Sequence, residues 1–435
     1  MKRDIDNVLS EWKRTVNRKP LLLHGARQVG KTSAIREFAK QFDYFIEINF
    51  ETEDRELNVR GLFKRGLTPR QMCDELARAA RTPVAAGQTL LFFDEIQACL
   101  PALSLLTCFY SEYPELHVIA AGSLLSFALH ELPLFGLGCI HSQYLYPLSF
   151  EEYLRAVEDD RLADGLREVS PEKPFPDDLH SRYIRRLTHF ILAGGMPSVV
   201  AVYAGGGSWA ECRQALDNLI LAFYGDFPKY KHRALAPRLR EVFASVIHQT
   251  GNKFNYSMAS RGSNYPQIKE CIKLLELAEL IYPAVHTSAD TFPLAAGVNA
   301  KFRKYSVLDT GIYHRFLRPE PAAPEEQEHL LQGASAELFV GLELLKAAPG
   351  DRPAPLYYWQ DEKPGSQAEV EYVVQRRTDI VPVALKSETR DGRSSLIQFL
   401  SEKRCTYGVR CSTENFGVHR HVKNYPLYAA AQIGK

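Results

Sequence analysis

The sequence holds 435 residues, 45% hydrophobic and 24% charged, and its 53 Lys and Arg nearly balance 52 Asp and Glu, for a net charge of +1. At about 100–200 residues per domain, this length predicts two to four globular domains and excludes a disordered chain, a collagen-like repeat or a small disulfide scaffold. No global field draws such a chain to DNA or to an anionic membrane, so any nucleic-acid contact needs a local patch.

Eight cysteines are scattered without a C-x-x-C pair, which argues against a zinc site. The start, Met1-Lys2-Arg3-Asp4-Ile5-Asp6, turns acidic before an apolar stretch begins. No apolar run nears the ~20 residues of a membrane helix. The expectation is a cytoplasmic protein with reduced thiols and no membrane association.

The first third alternates strands and helices. Pro20–His24 is a short apolar run ending at Gly25, and a helical stretch follows over Lys31–Phe42. Tyr44–Phe50 reads as a strand, Leu76–Ala80 as helix, and Thr89–Phe93 and Leu116–Ala121 as fully apolar strands. Short apolar runs separated by helices predict a buried parallel sheet in an α/β domain over residues 1–150. Residues 151–236 read as helical, with a surface loop at Val169–Asp178 marked by Pro171, Pro174 and Pro176.

A short helix at Tyr256–Ala259, a break at Gly262-Ser263-Asn264 and a longer helix over Tyr265–Glu279 come next. Ile268, Cys271, Ile272, Leu275 and Ala278 share one face of that longer helix. With strands at Leu280–Tyr282 and Phe302–Val307, residues 237–318 have the winged-helix pattern. Pro319–Glu326 reads as a Pro-rich acidic linker. Residues 327–435 predict a further α/β domain: helices at Gly333–Ala347 and Ser394–Lys403, strands at Leu356–Trp359, Glu369–Val374, Ile380–Ser387 and Thr406–Arg410. There is no internal repeat.

Three motifs carry chemistry. Gly25-Ala26-Arg27-Gln28-Val29-Gly30-Lys31-Thr32, followed by Ser33, matches the phosphate-binding G-x-x-x-x-G-K-[ST] loop (Walker A) between a strand and a helix. Its glycines let backbone fold around a phosphate, and the loop N–H groups and helix N-terminus favour the anion. Lys31 is the candidate for the β and γ phosphates, and Thr32 for Mg²⁺. Leu90-Leu91-Phe92-Phe93-Asp94-Glu95 ends an apolar strand in two acids (Walker B). Asp94 would hold Mg²⁺ directly or through water, and Glu95 would polarise the attacking water. The competing reading is an acidic strand end facing solvent. Ser123, ending Val118–Ala121-Gly122, reads either as a γ-phosphate contact or as a helix cap. The guanine-selecting N-K-x-D is absent, since Asn252-Lys253-Phe254-Asn255 fails at its last place, so the expected cofactors are ATP and Mg²⁺.

In this order the motifs resemble the AAA-type P-loop ATPases, and most closely an uncharacterised bacterial and archaeal branch with a C-terminal domain of unknown function. Further strings of that resemblance are Phe92-Phe93-Asp94-Glu95-Ile96-Gln97, the Tyr146–Tyr153 stretch around Pro147-Leu148-Ser149-Phe150, Gly194-Gly195-Met196-Pro197, Asp309-Thr310-Gly311 and Ala368–Tyr372. The resemblance implies ATP binding and hydrolysis, with Gln97 following the acids. It implies oligomers too, since such ATPases often form rings. The expected function is a Mg²⁺-dependent ATPase whose nucleotide state moves its C-terminal parts. The alternative is an ATP-held switch with little turnover that recruits a protein or nucleic-acid partner.

Two places depart from the resemblance. Similar sequences carry Gly-Arg where this one has Gly138-Cys139, and an arginine finger contributes about 10³–10⁵ in rate. Arg182, Arg185 and Arg186 on a later helix read as a solvated face rather than its replacement. The C-terminal domain resembles the restriction-endonuclease-like fold, whose metal site would use Glu337, Glu371 and a Glu-x-Lys ending at Lys386. Ala384 stands where that last carboxylate belongs, so the expectation is a domain without nuclease activity. For a nucleic-acid surface, the stretch Lys229–Arg240 with Lys231, His232, Arg233, Arg238 and Tyr230 is richer than the Tyr265–Glu279 helix, where Lys269 and Lys273 meet Glu270, Glu276 and Glu279; the competing reading of Lys229–Arg240 is a solvated basic helix start.

Overall fold

The computed structural model describes residues 1–52, 59–131, 138–157, 160–230, 236–260, 262, 264–317, 328–376, 379–385 and 395–434. The Pro319–Glu326 stretch, Lys231, His232, Arg233 and Lys386 lie outside the described residues. The chain divides into two compact units: one holds residues 2–146 with 350–353, the other residues 147–349 and 354–435.

The first unit is built on a parallel sheet of β1 (Leu21–His24), β2 (Tyr44–Asn49), β3 (Thr89–Asp94), β4 (His117–Ala121) and β5 (His141–Tyr144), in the order β2-β3-β4-β1-β5. Every pairing is parallel. All residues of β1, β3 and β4 are buried, as strands covered on both faces by helices must be. On one face Leu22, Leu91, Phe93, Val118 and Ala120 pack with Leu103, Leu106 and Phe109 of the Leu100–Glu112 helix and with Met72 and Leu76 of the Pro69–Ala80 helix. A Thr68–Gln71 capping box starts the latter helix at Pro69, about two turns before the sequence predicts it.

Because β4 lies between β1 and β3, the carboxyl ends of three strands stand side by side. The loop after β1, the acids ending β3 and Ser123 after β4 therefore reach one edge of the sheet, where open α/β sheets bind ligands.

In the second unit, helices at Phe150–Val157, Asp177–Ala193, Pro197–Ala204, Trp209–Asp226 and Ala236–His248 precede the Tyr265–Leu277 helix. A mixed eight-stranded sheet follows: β6 (Ile281–Thr287), β7 (Val298–Val307), β8 (Leu356–Gln360), β9 (Glu369–Arg376), β10 (Asp379–Ala384), β11 (Gly408–Ser412), β12 (Gly417–His419) and β13 (Val422–Pro426), in the order β12-β13-β11-β10-β9-β8-β6-β7. The β6–β7 hairpin is antiparallel, and β6 also pairs in parallel with β8. Residues 237–318 and 327–435 thus contribute to one sheet. The Gly333–Ala347 helix is buried along Ser335–Leu345 and carries Glu337 and Glu343 inside.

Three strings singled out in the sequence meet in this unit. Leu148 N–H donates to the Gly195 carbonyl at 2.7 Å, and Gly195 N–H donates to Asp309 Oδ2 at 2.6 Å. The other oxygen of Asp309 accepts the Ile312 N–H at 3.0 Å, which fixes the start of the Thr310–Leu317 helix. Lys346 Nζ donates to the Leu148 carbonyl at 2.9 Å and pairs with Glu343, which accepts the Phe150 N–H at 3.1 Å. Pro-Leu-Ser-Phe, Gly-Gly-Met-Pro and Asp-Thr-Gly therefore form a buried polar junction.

Candidate functional site

The phosphate loop takes the shape its glycines permit. Gly25 has φ +147°, and a Cβ there would lie 2.4 Å from the Leu145 carbonyl oxygen, so only glycine fits. Ala26 and Val29 are buried, Arg27 is half-buried, and Gln28 and Ser33 are exposed. Gly30 caps the Lys31–Ala39 helix, and Ala34 N–H donates to its carbonyl at 3.0 Å.

Lys31 is buried and folded back on the loop, donating to the carbonyls of Gly25 at 2.7 Å and Ala26 at 2.9 Å. Thr32 Oγ1 donates to Asp94 Oδ2 at 3.1 Å, and Asn49 Nδ2 reaches the same oxygen at 3.2 Å. A hydroxyl and a carboxylate in contact make a pair of hard oxygen donors, which suits Mg²⁺. Burial, and then the neighbouring Glu95 charge, raises the Asp94 pKa, although hydrogen bonds from Thr32 and the Glu95 N–H oppose this. A cation at this place would relieve that cost.

Glu95 sits in the left-handed region at φ +49°, a conformation that costs a non-glycine residue and turns its side chain back over the sheet edge. Its Oε2 accepts three hydrogen bonds: Gln97 Nε2 at 2.6 Å, Ser123 N–H at 3.1 Å and Ser123 Oγ at 3.1 Å. Burial works to raise its pKa, but these donors and the Lys31 charge outweigh burial and lower it. The structure thus brings Gly25–Ser33, Asp94, Glu95 and Ser123 together, and Ser123 touches the Glu95 carboxylate.

Sequence reasoning missed several neighbours. Arg3 is buried, with Nη1 donating to the Val29 carbonyl at 3.2 Å and Nη2 to the Tyr146 carbonyl at 2.9 Å. The signal was an arginine far from its partners in sequence, which no local pattern reveals. Gln97 was noticed only by resemblance; its bond to Glu95 makes it part of the site. His24, just before the loop, stacks on Tyr144 at 4.4 Å between ring centroids. Burial, and then the Lys31 charge, pushes the His24 imidazole down to about 3, so it is neutral.

Cys139 lies two residues before β5. Since β5 runs parallel to β1, this is the amino edge of the sheet, and the phosphate loop leaves the carboxyl edge. Arg182, Arg185 and Arg186 lie on the Asp177–Ala193 helix of the other unit. In the candidate basic stretch, Lys229 pairs with Asp226 at 3.0 Å, Arg240 lies over the Tyr224 ring at 5.1 Å and Tyr230 is buried.

Glu337 and Glu371 line one cavity of about 590 Å³, together with Arg410 and Glu414. Glu371 Oε2 accepts the Leu385 N–H at 3.0 Å, and Ala384 is buried at the end of β10. Among the described residues no group of three or more His, Cys, Asp and Glu could hold a metal ion. No helix among them is long and apolar enough to cross a membrane.

Residues 17–154 match the AAA domain family, and residues 184–322 and 332–430 each match a domain of unknown function. The N-terminal stretch is an AAA-type P-loop domain. Among solved structures, the chain is similar to a Walker-type ATPase of Pyrococcus abyssi at 17% identity and a TM-score of 0.45, over 73% of this chain and 96% of that one. It is also similar to the ORC1 protein of Aeropyrum pernix in complex with DNA, at 13% identity and 0.26 over 73% and 91%. A third is AMPPCP-bound DnaA of Aquifex aeolicus, at 12% identity and 0.25 over 63% and 87%. No curated protein matches.

Proposed function

We propose that this chain binds ATP with Mg²⁺ at the Gly25–Ser33 loop and hydrolyses it, its nucleotide state moving the segments beyond residue 150. The observation that carries the proposal is the convergence of the loop, Asp94, Glu95 and Ser123 on one sheet edge. Loop N–H groups and the Lys31–Ala39 helix N-terminus receive the phosphate oxygens. Lys31 gives up the Gly25 and Ala26 carbonyls for the β and γ phosphates. Thr32 and Asp94 are the residues that would hold Mg²⁺, which neutralises phosphate charge when bound. Glu95 takes the proton of the attacking water, and Ser123 couples that carboxylate to the end of β4.

Lys31→Ala tests the binding half: calorimetric titration should show ATP affinity lost, and wild-type affinity would contradict the assignment.

A second reading, an ATP-held switch with little turnover, draws on the three hydrogen bonds at Glu95 Oε2, since they stabilise the ionised carboxylate and weaken it as a base. We read residues 237–318 as winged-helix-like and 327–435 as restriction-endonuclease-like without metal chemistry, with a protein or nucleic acid as partner of these parts. The helix–helix–hairpin run and the shared cavity of Glu337 and Glu371 support that reading. A cytoplasmic, oligomeric assembly completes the proposal.

A further inference from the structure

A hydrolytic metal in the restriction-endonuclease-like reading would sit on Glu337 and Glu371. Glu337 comes from the buried Gly333–Ala347 helix, and Glu371 from β9, two residues beyond Glu369 and so on the same face. Three carboxylates therefore crowd a mostly buried place.

Lys304 of β7 answers them. Its Nζ lies 2.7 Å from Glu337 Oε1, with the two side chains 6% and 9% exposed, and it also contacts Glu369. The ammonium stands 5.2 Å from the centre of the Tyr358 ring, which holds it from another side. Glu371 spends Oε2 on the Leu385 N–H, and Tyr372 Oη donates to the Glu337 carbonyl at 2.9 Å, pinning the helix to β9. Arg410 brings a second cation to the cavity wall, paired with Glu414.

A hard divalent ion needs about six oxygen ligands within about 2.6 Å, and it repels an ammonium held against the same carboxylate. The oxygens already committed here, the missing carboxylate at Ala384 and the fixed ammonium do not fit such an ion. We propose that this cluster is a closed cation site in which the Lys304 ammonium, held on Glu337 and Glu369, takes the place of a divalent metal that Glu337 and Glu371 would otherwise share. Burial pushes the Glu337 carboxyl up to about 7, and the Lys304 charge beside it pulls the other way and favours the ion pair.

The proposal rests on the restriction-endonuclease-like reading for the identity of the two acids, and it is independent of the ATP site. The test uses the full chain carrying Asp94→Asn, which weakens metal binding at the phosphate loop. Mn²⁺ is titrated without nucleotide, followed by paramagnetic resonance of the free ion and by thermal melting. The parent should bind no Mn²⁺ that Glu371→Gln removes, and its melting temperature should not respond to the metal.

Lys304→Met should gain a Mn²⁺ site that the parent lacks, with melting raised by Mn²⁺, because the metal replaces the lost charge. Glu337→Gln added to Lys304→Met should fold without metal and lose the new site. Should Lys304→Met fold only with metal, that dependence is the same prediction. Parent Mn²⁺ binding that vanishes in Glu371→Gln would overturn the proposal, and so would a folded Lys304→Met that gains none. Plasmid cleavage by the parent that Glu371→Gln abolishes would overturn both the closed site and the reading of a domain without metal chemistry.

Discussion

Arg3→Ala should weaken ATP binding about tenfold, although Arg3 lies outside every motif. Its guanidinium bridges the Val29 carbonyl in the phosphate loop at 3.2 Å and the Tyr146 carbonyl after β5 at 2.9 Å, in a residue only 8% exposed. Hydrogen bonds from a charged donor contribute about 1.5–3 kcal/mol each, and little solvent is present to screen them. The longer contact puts the loop's share near the lower bound, about 1.5 kcal/mol. A loop released by that amount has to be ordered again when nucleotide binds, and about 1.4 kcal/mol is one decade of affinity.

Both bonds together, about 3–4 kcal/mol, should lower the melting temperature of the parallel-sheet unit by roughly 10 °C. Arg3→Lys keeps the charge but lacks the fork, so it should fall between. Titration calorimetry with a slowly hydrolysed ATP analogue, alongside thermal melts, reads both effects. Wild-type affinity and wild-type melting in Arg3→Ala would refute the idea that this side chain shapes the loop.

Asp309→Ala strands the Gly195 and Ile312 N–H groups and should cost about 3 kcal/mol while leaving ATP affinity alone; a melt at wild-type temperature would show that the junction is not held there. His24 and His117 are pushed down to about 3 and about 4, in both cases by burial first, so the unfolded chain takes up protons before the folded one does. Stability of the parallel-sheet unit is thus full above about pH 6.5 and falls as the pH drops toward 4. His24→Leu should make that loss shallower by up to about 1.4 kcal/mol per pH unit, and identical slopes in acid melts would contradict it. Near pH 7.5 the same variant should melt no lower than wild type, since both ring nitrogens are buried without hydrogen-bond partners among the described residues. Cys139→Arg stands at the amino edge of its own sheet, so it should raise kcat, by up to about 10³-fold, only as protein concentration brings subunits together. A gain independent of concentration would contradict that geometry.

What the sequence made legible was local. Gly25–Thr32 has to satisfy backbone demands within eight consecutive residues, and Asp94, Glu95 and Ser123 announce themselves at the ends of buried apolar runs. Edge strand β5, His141-Ser142-Gln143-Tyr144, escaped because a strand with a polar, half-exposed composition carries no such run. The Leu100–Glu112 helix escaped for the opposite reason, being apolar with little periodicity. Long-range polar pairs were invisible in principle. Arg3 meets Tyr146 across 143 positions, Lys304 meets Glu337 across 33, and Gly195 meets Asp309 across 114. The family-like strings around Leu148, Gly195 and Asp309 were visible as strings, but their meaning as one buried junction needed the fold.

Steady-state phosphate release from ATP with Mg²⁺, for wild type, Lys31→Ala and Glu95→Gln, tests the central claim most directly. The account predicts turnover by the wild type, none by Lys31→Ala, and retained nucleotide binding with turnover lowered about 10²–10⁴-fold in Glu95→Gln. Turnover that persists unchanged in Glu95→Gln, or in Lys31→Ala, would contradict it.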